Sequence, residues 1–192
     1  MILPTLPKQG GGRVILRDIY SVSDTDFSTI IENIKNSRVD LVYLVPEFRE
    51  NAVNFVDQFK SAKVSTPIWT TDVLLEEQAL RKDAVLLEGI IGFEAEYNYS
   101  NPKASVFFSQ YQSLYGSTPF KLYQAAAYDS VFLLSQGISV NGENPLKVRN
   151  WLNSLKNWQG TLGSVTFDEN GDIIPNLQAY RIKNGNLTSI DI

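Results

Sequence analysis

Three strand-like runs begin at Val14, Leu41 and Ile68, each 27 residues after the last. They are RVILRDIY (13–20), LVYLV (41–45) and PIWTT (67–71). A helical stripe follows each of the first two: Phe27, Ile30, Ile31 and Ile34 behind a cap at Asp24 or Asp26, then Ala52, Phe55, Val56 and Phe59. This spacing is the length of a strand plus a crossover helix, and parallel strands need such a crossover. The pattern predicts an α/β fold, an open and mostly parallel sheet with helices on both faces.

After a weaker helix at 76–83 and a further strand, GIIGFEAEY (89–97), the pattern changes. Helices are expected at 102–115, striped by Phe107, Phe108, Tyr111 and Leu114, and at 120–138, striped by Leu122, Ala126, Val131 and Leu134. A third is expected at 145–155, with Leu146, Trp151 and Leu155. The turn YGSTP separates the first two, and SVNGENP (139–145) is the best linker candidate. Near the end, VTFDENGDI sets Asp168, Asn170 and Asp172 around Gly171. A calcium loop read from Asp168 would need Gly at its sixth position and Glu at its twelfth, where Ile173 and Ala179 stand. The better expectation is a type I′ hairpin turn at Asn170-Gly171, between the run at Val165 and Phe167 and the run Leu177–Ile182.

Composition removes whole classes of chemistry. The 192 residues contain neither Cys nor His, so there is no thiol nucleophile, no Ser-His-Asp triad and no ordinary zinc site. The lack of Cys leaves the redox compartment open. A net charge of -4 offers no footprint for a polyanion, and nucleic acid is not an expected partner. No apolar run is long enough to span a bilayer, and MILPTLPKQG lacks the charged n-region and apolar stretch of a secretion signal. Neither a metal nor a cofactor is expected.

In open parallel sheets, ligands bind beyond the carboxyl ends of the strands. That rule selects three acidic and aromatic loops: Pro46-Glu47-Phe48, Thr70-Thr71-Asp72 and Glu94 to Tyr97. Such a surface suits a ligand with an ammonium group and an apolar side chain. Asp72 or Glu47 would supply charge-assisted hydrogen bonds of roughly 1.5–3 kcal/mol each. The run Gly10–Gly12 precedes a strand instead of following one, so it is no phosphate loop. Structural roles compete for the same residues. Asp72 would serve as a helix cap, Phe48 as a staple, Glu94 and Glu96 as a solvated edge, and Asp129 as a hydrogen-bond acceptor. A magnesium-dependent enzyme using Asp72, Glu47 and Glu94 is the catalytic alternative.

The ordered series GGRVILRDIYSVSDTDFSTIIENIK, RVDLVYLV, FVDQFKSAKVSTPIWTTD, FFSQYQSLYGSTP, AAAYDSVFLL and QGTLGSVTFDENGDI resembles the second half of type I periplasmic solute-binding proteins, the receptors of branched-chain amino acid ABC transporters. The resemblance runs from about Gly10 to Gly185. It implies a non-enzymatic module for an amino acid or similar small molecule, extracytoplasmic, serving a membrane permease through the intact receptor. It also implies roles for two site residues, Asp72 holding the ligand's amino group and Phe48 lining the cleft; loop position adds Glu47, Thr71 and Tyr97 to the expected ligand-binding set. Residues 1–9 fall outside the resemblance. Residues 10–100 are the expected ligand-binding lobe, 101–160 a helical segment crossing to a first lobe, and 161–192 a hairpin returning to the sheet. Because a first lobe is missing from the resemblance, Phe107, Tyr111, Tyr123 and Phe132 are expected to form an exposed apolar or self-associating surface. Lobes of this type also sense effectors in transcription regulators and receptors, which is the alternative to transport.

Overall fold

Parallel pairing of three short strands organises the first of two units, which comprises residues 1–94 and 178–192. The second unit comprises residues 95–177. The computed structural model describes residues 12–95, 98, 100–116, 121–173, 175 and 177–191.

In the first unit the order is α1 (Ser28–Ser37), β1 (Val42–Leu44), α2 (Arg49–Ser61), β2 (Ile68–Thr70), a 3-10 turn (Asp72–Leu74), α3 (Glu77–Leu87) and β3 (Ile91–Ala95). Later in the chain come β6 (Leu177–Lys183) and β7 (Asn186–Ile190). The five strands lie in the order β1-β2-β3-β6-β7. β1 and β2 are parallel with Val42 opposite Ile68 and Leu44 opposite Thr70, and β2 and β3 are parallel with Thr70 opposite Gly92. The α/β class and mostly parallel sheet expected from the sequence are what the structure shows.

Each apolar stripe falls on its helix as the 3.6-residue period requires. Phe27, Ile31, Ile34, Ala52, Phe55, Val56 and Phe59 are buried in one cluster with Leu44, Ile68, Leu74, Leu87 and Ile182. Phe27 meets Phe55 edge to face and Phe55 stacks on Phe59, each pair with ring centroids 5.6 Å apart. Each such side chain contributes roughly 1.5–3 kcal/mol by leaving water. Capping of α1 is indirect: Phe27 holds the cap position, while Asp26 Oδ1 accepts from the Ser28 N–H at 2.9 Å.

The strand expected at 13–20 does not form. Those residues carry no regular secondary structure, and Val14, Ile15 and Ile19 are exposed while Leu16 and Tyr20 pack on the core. A β-branched run favours extended backbone, yet a strand exists only where a neighbour takes up its N–H and C=O groups. Here β1 is the edge of the sheet. β3 begins at Ile91, two residues after the expected start, while the last two residues of the expected 89–97 lie outside the described residues, and α3 continues to Leu87, past the expected end at Asp83.

The second unit contains α4 (Pro102–Tyr115), α5 (Lys121–Asn141), α6 (Pro145–Ser154), β4 (Trp158–Gln159) and β5 (Ser164–Val165). Both α4 and α6 start on an Asn-Pro pair. Asn101 and Asn144 accept from the N–H groups of Ala104 and Lys147, and proline occupies the first helical position, where no N–H is needed. On α5 the buried residues are Ala125, Asp129, Leu133 and Gly137, so the expected apolar face is corrected at Val131 and Leu134, which are exposed. The reason lies at both ends of that stripe. Gly137 admits Val148 and Trp151 of α6, and Asp129 is 4% exposed, with Oδ1 accepting from Thr161 N–H at 2.7 Å and Oδ2 from Leu162 N–H at 2.9 Å. A Cβ on Gly160 would collide with that carboxylate and with Trp158. Phe107 packs on Phe108, Tyr111 and Tyr128 and is partly buried, as is Tyr111, whereas Tyr123 and Phe132 stay exposed. The YGSTP turn lies mostly outside the described residues, apart from Tyr115 and Gly116.

The hairpin turns also differ from expectation. At Asp168–Asp172, Gly171 has φ 89 but Asn170 is not in the left-handed region, so the turn is not type I′. Gly171 N–H donates to Asp168 O and Asp168 N–H to Asp172 O, giving a type I turn with a glycine bulge. Asp168 Oδ1 accepts from the N–H groups of Asn170 and Asp172, and those bonds hold its carboxyl below the usual range. The run at Leu177–Ile182 pairs with β7 instead, through Asn184-Gly185, where both residues have positive φ and Lys183 faces Asn186. That pair is the type I′ turn.

Replacing Asp129 by Ala would strand two buried N–H groups, and stability measured by urea unfolding is expected to fall by about 3 kcal/mol. Asp129→Asn, which keeps one acceptor, is expected to lose less.

Candidate functional site

Parallel strands present all their carboxyl ends at one edge of the sheet, so the loops after β1, β2 and β3 open on the same rim. Thr70 ends β2 with 0% exposure, and among the described residues neither its Oγ1 nor that of Thr71 has a hydrogen-bond partner. Thr71 is extended, with φ -79 and ψ -173, and Asp72 opens the 3-10 turn. Thr71 precedes that turn without capping it through its side chain. After β1, Glu47 is exposed and Phe48 is 50% exposed at the start of α2. Tyr97 and Glu96 lie outside the described residues.

Charge gathers around Asp72. Burial and then the negative charge of Asp72 push the Glu94 carboxyl up from its usual range. The same two causes, in the same order, raise the Glu76 carboxyl and the Tyr43 phenol, with Arg49 partly opposing the effect at Glu76. Glu47 acts elsewhere: after burial, its charge raises the Tyr20 phenol, whose ring packs edge-on against Phe27. Arg49 donates to Asp83 at 2.9 Å and to Glu50 at 2.8 Å. The structure therefore brings Glu94, Glu76 and Tyr43 each within electrostatic reach of Asp72.

Glu94 is not the solvated edge residue the sequence suggested. β3 lies between β2 and β6, and the carboxyl is half-buried. Sequence reasoning also missed Glu76, Tyr43 and Tyr20. The available signal for Glu94 was register: β2 and β3 pair as far as Thr70 and Gly92, two residues before Asp72 and Glu94. Tyr43 was hidden within an apolar run. Among the described residues no group of three acidic side chains is placed to hold a metal ion.

The sequence model of the periplasmic binding protein family matches residues 5–186. The fold is similar to that of the leucine-binding protein LivK from Thermotoga maritima, with TM-score 0.71 and 23% identity over 90% of this chain and 49% of that one. It is also similar to an ABC transporter solute-binding protein from R. palustris, solved with benzoate, with TM-score 0.71 and 17% identity over 95% and 51%. A third likeness is to the branched-chain amino acid binding protein LivJ from Streptococcus pneumoniae, solved with isoleucine, with TM-score 0.64 and 20% identity over 89% and 51%. An α/β unit of this kind, with its loops at the carboxyl rim of a parallel sheet, is the fold these solute-binding proteins share. The chain belongs to the periplasmic binding protein family. It spans about half the length of those solved structures. Members of the family are periplasmic or extracytoplasmic, and no helix among the described residues is long and apolar enough to cross a membrane.

A raised carboxyl pKa stabilises the fold below the unfolded value, and that contribution is lost as pH rises through the folded value. Glu94 and Glu76 thus weaken the fold at neutral pH. A carbon-detected NMR titration is expected to place both carboxyls above the ordinary glutamate range. Asp72→Asn should lower both without fully restoring them, since burial remains the larger cause.

Proposed function

We propose that the chain carries the Asp72 side of a cleft for an amino acid or similar small solute, as part of the extracytoplasmic receptor of an ABC transporter. The observation that supports this best is the Asp72 carboxylate at the rim of a parallel sheet, beside the buried hydroxyls of Thr70 and Thr71. A carboxylate with nearby hydroxyl acceptors suits an ammonium group. Phe48, half exposed on the loop after β1, offers apolar surface for a side chain. Tyr97 and Glu47 complete the proposed set. LivJ was solved with isoleucine, and among the ligands seen with similar structures an amino acid fits Asp72 better than benzoate, whose charge it would repel.

In the intact receptor, the cleft closes on its ligand by a population shift toward the closed state, and the permease recognises the receptor. Contacts from one side alone leave about half the binding energy. A micromolar site near -8 kcal/mol becomes millimolar near -4. The exposed side chains Tyr123 and Phe132, with partly buried Phe107 and Tyr111, form a proposed association surface, and sedimentation should show a concentration-dependent mass.

Titration of the chain with L-leucine, followed by amide NMR shifts, is expected to give a Kd on the order of millimolar, with shifts centred on residues 70–76 and 91–95. Asp72→Asn is expected to weaken binding at least ~10-fold. Shifts spread evenly, or unaffected by the substitution, would overturn the assignment.

A further inference from the structure

The five-stranded sheet ends in β1 on one side and β7 on the other. The two edges differ in chemistry. β7 reads Asn-Leu-Thr-Ser-Ile, polar at Asn186, Thr188 and Ser189. β1 and the residue on either side of it read Leu41-Val42-Tyr43-Leu44-Val45, with no charge, proline or glycine. An open row of N–H and C=O groups is a template for another strand, and protein edges are usually blunted by a charge, a proline or a bulge. This one is not.

Backbone groups along a strand point alternately to its two sides. Val42 N–H donates to Pro67 O at 3.0 Å, so Val42 and Leu44 turn their backbone groups to β2. The N–H and C=O of Tyr43 therefore lie on the open side, where among the described residues no strand pairs with β1. The run at 13–20 forms no strand and does not close this edge. Side chains alternate as well. Val42 and Leu44 pack on the core, while Leu41, Tyr43 and Val45 are 37%, 52% and 42% exposed.

The stretch is complementary to itself. A second copy laid antiparallel about a two-fold axis at Tyr43 sets Tyr43 opposite its own counterpart and Leu41 opposite Val45 on either side. Every facing pair is then apolar or aromatic, and each exchanges both of its N–H···O bonds. Pro46, which has no N–H to give, ends the pairing after Val45. An unrelated peptide would have to bring a matching sequence, whereas a second copy supplies it by symmetry. Such a contact uses the same edge in both copies and closes on itself.

We propose that β1 is a homodimer edge whose occupant is a second copy of this chain, paired antiparallel from Leu41 to Val45 so that one sheet runs through both copies. The surface is separate from the aromatic side chains of α4 and α5, and the inference does not depend on the solute reading of Asp72.

The test follows amide hydrogen exchange by NMR on the full chain at two protein concentrations, about 50 μM and about 1 mM. For a dimer with a dissociation constant of about 0.1 mM, the N–H groups of Leu41, Tyr43 and Val45 are expected to exchange about 3-fold more slowly at the higher concentration. Those of Val42 and Leu44, already turned to β2, keep their rates. Leu41→Lys alone and Val45→Glu alone are each expected to abolish the concentration dependence, and the two together to restore it, because every facing pair then carries opposite charges. Both side chains lie outside the core cluster, so the loss reports on association and not on folding. Phe132→Lys, on α5, should leave the effect in place. Exchange at these three amides that does not vary with concentration, whether slow or fast, would overturn the inference, as would an effect that survives either single substitution. A mass that rises with concentration while these amides stay fast would assign association to α4 and α5 and overturn it too.

Discussion

The pairing of β1, β2 and β3 in sequence order is the constraint on which the rest depends. Parallel strands joined by right-handed crossovers that advance in one direction put successive helices on the same face. Hence α1, α2 and α3 share a single core with Leu44 and Ile68, while Tyr43, Trp69 and Phe93 fall on the opposite face, where Trp69 and Phe93 meet edge to face at 5.4 Å. The same parallel sense makes the three outgoing loops neighbours. Neither consequence requires any particular loop sequence, so the loops are available for recognition.

What the loops contain works against the stability of the unit. Asp72 raises the Glu94 and Glu76 carboxyls and the Tyr43 phenol, and burial does so even more. A chain selected for stability alone would place a cation or an apolar residue at position 94. Like charge at a rim where, among the described residues, the Thr70 and Thr71 hydroxyls have no hydrogen-bond partner is what motivates the proposal of a solute site there. The contrast with Asp129 is instructive: equally acidic and more deeply buried, it is fully satisfied by two backbone donors and belongs to packing.

Much of this was legible in the sequence. The stripes Phe27–Ile34 and Ala52–Phe59 gave their helices directly, because a period of 3.6 has no other reading over that length, and both Asn-Pro helix starts were visible. The segment 13–20 was not, since strand propensity says nothing of whether a partner strand is present. On α5, apolar composition misled: Val131 and Leu134 look like core, but the buried stripe is fixed by two small residues and an acid whose partners lie far along the chain. Two Asn-Gly pairs compete for the turn chemistry of the last 30 residues, and only pairing distinguishes Asn184-Gly185 from Asn170-Gly171. At the rim, Asp72, Glu47 and Phe48 could be located from loop position alone, whereas the role of Glu94 needed the register between strands that sequence does not supply.

The first unit is discontinuous, and that has a temporal side. Ile182 lies in its core with 0% exposure, Gly89 N–H donates to Ile182 O, Asn184 N–H donates to Glu88 Oε2, and Gly185 sits against Ala84 and Leu80 of α3. All of these contacts join α3 and the two residues after it to residues 178–192. Until the ribosome has released that hairpin, the carboxyl-terminal end of α3 lacks its neighbour and the sheet ends at β3 with an unpaired edge. The nascent chain must therefore hold an incomplete sheet through the whole of residues 95–177, a delay during which it is open to strand-mediated aggregation and suited to the protection of a holding chaperone.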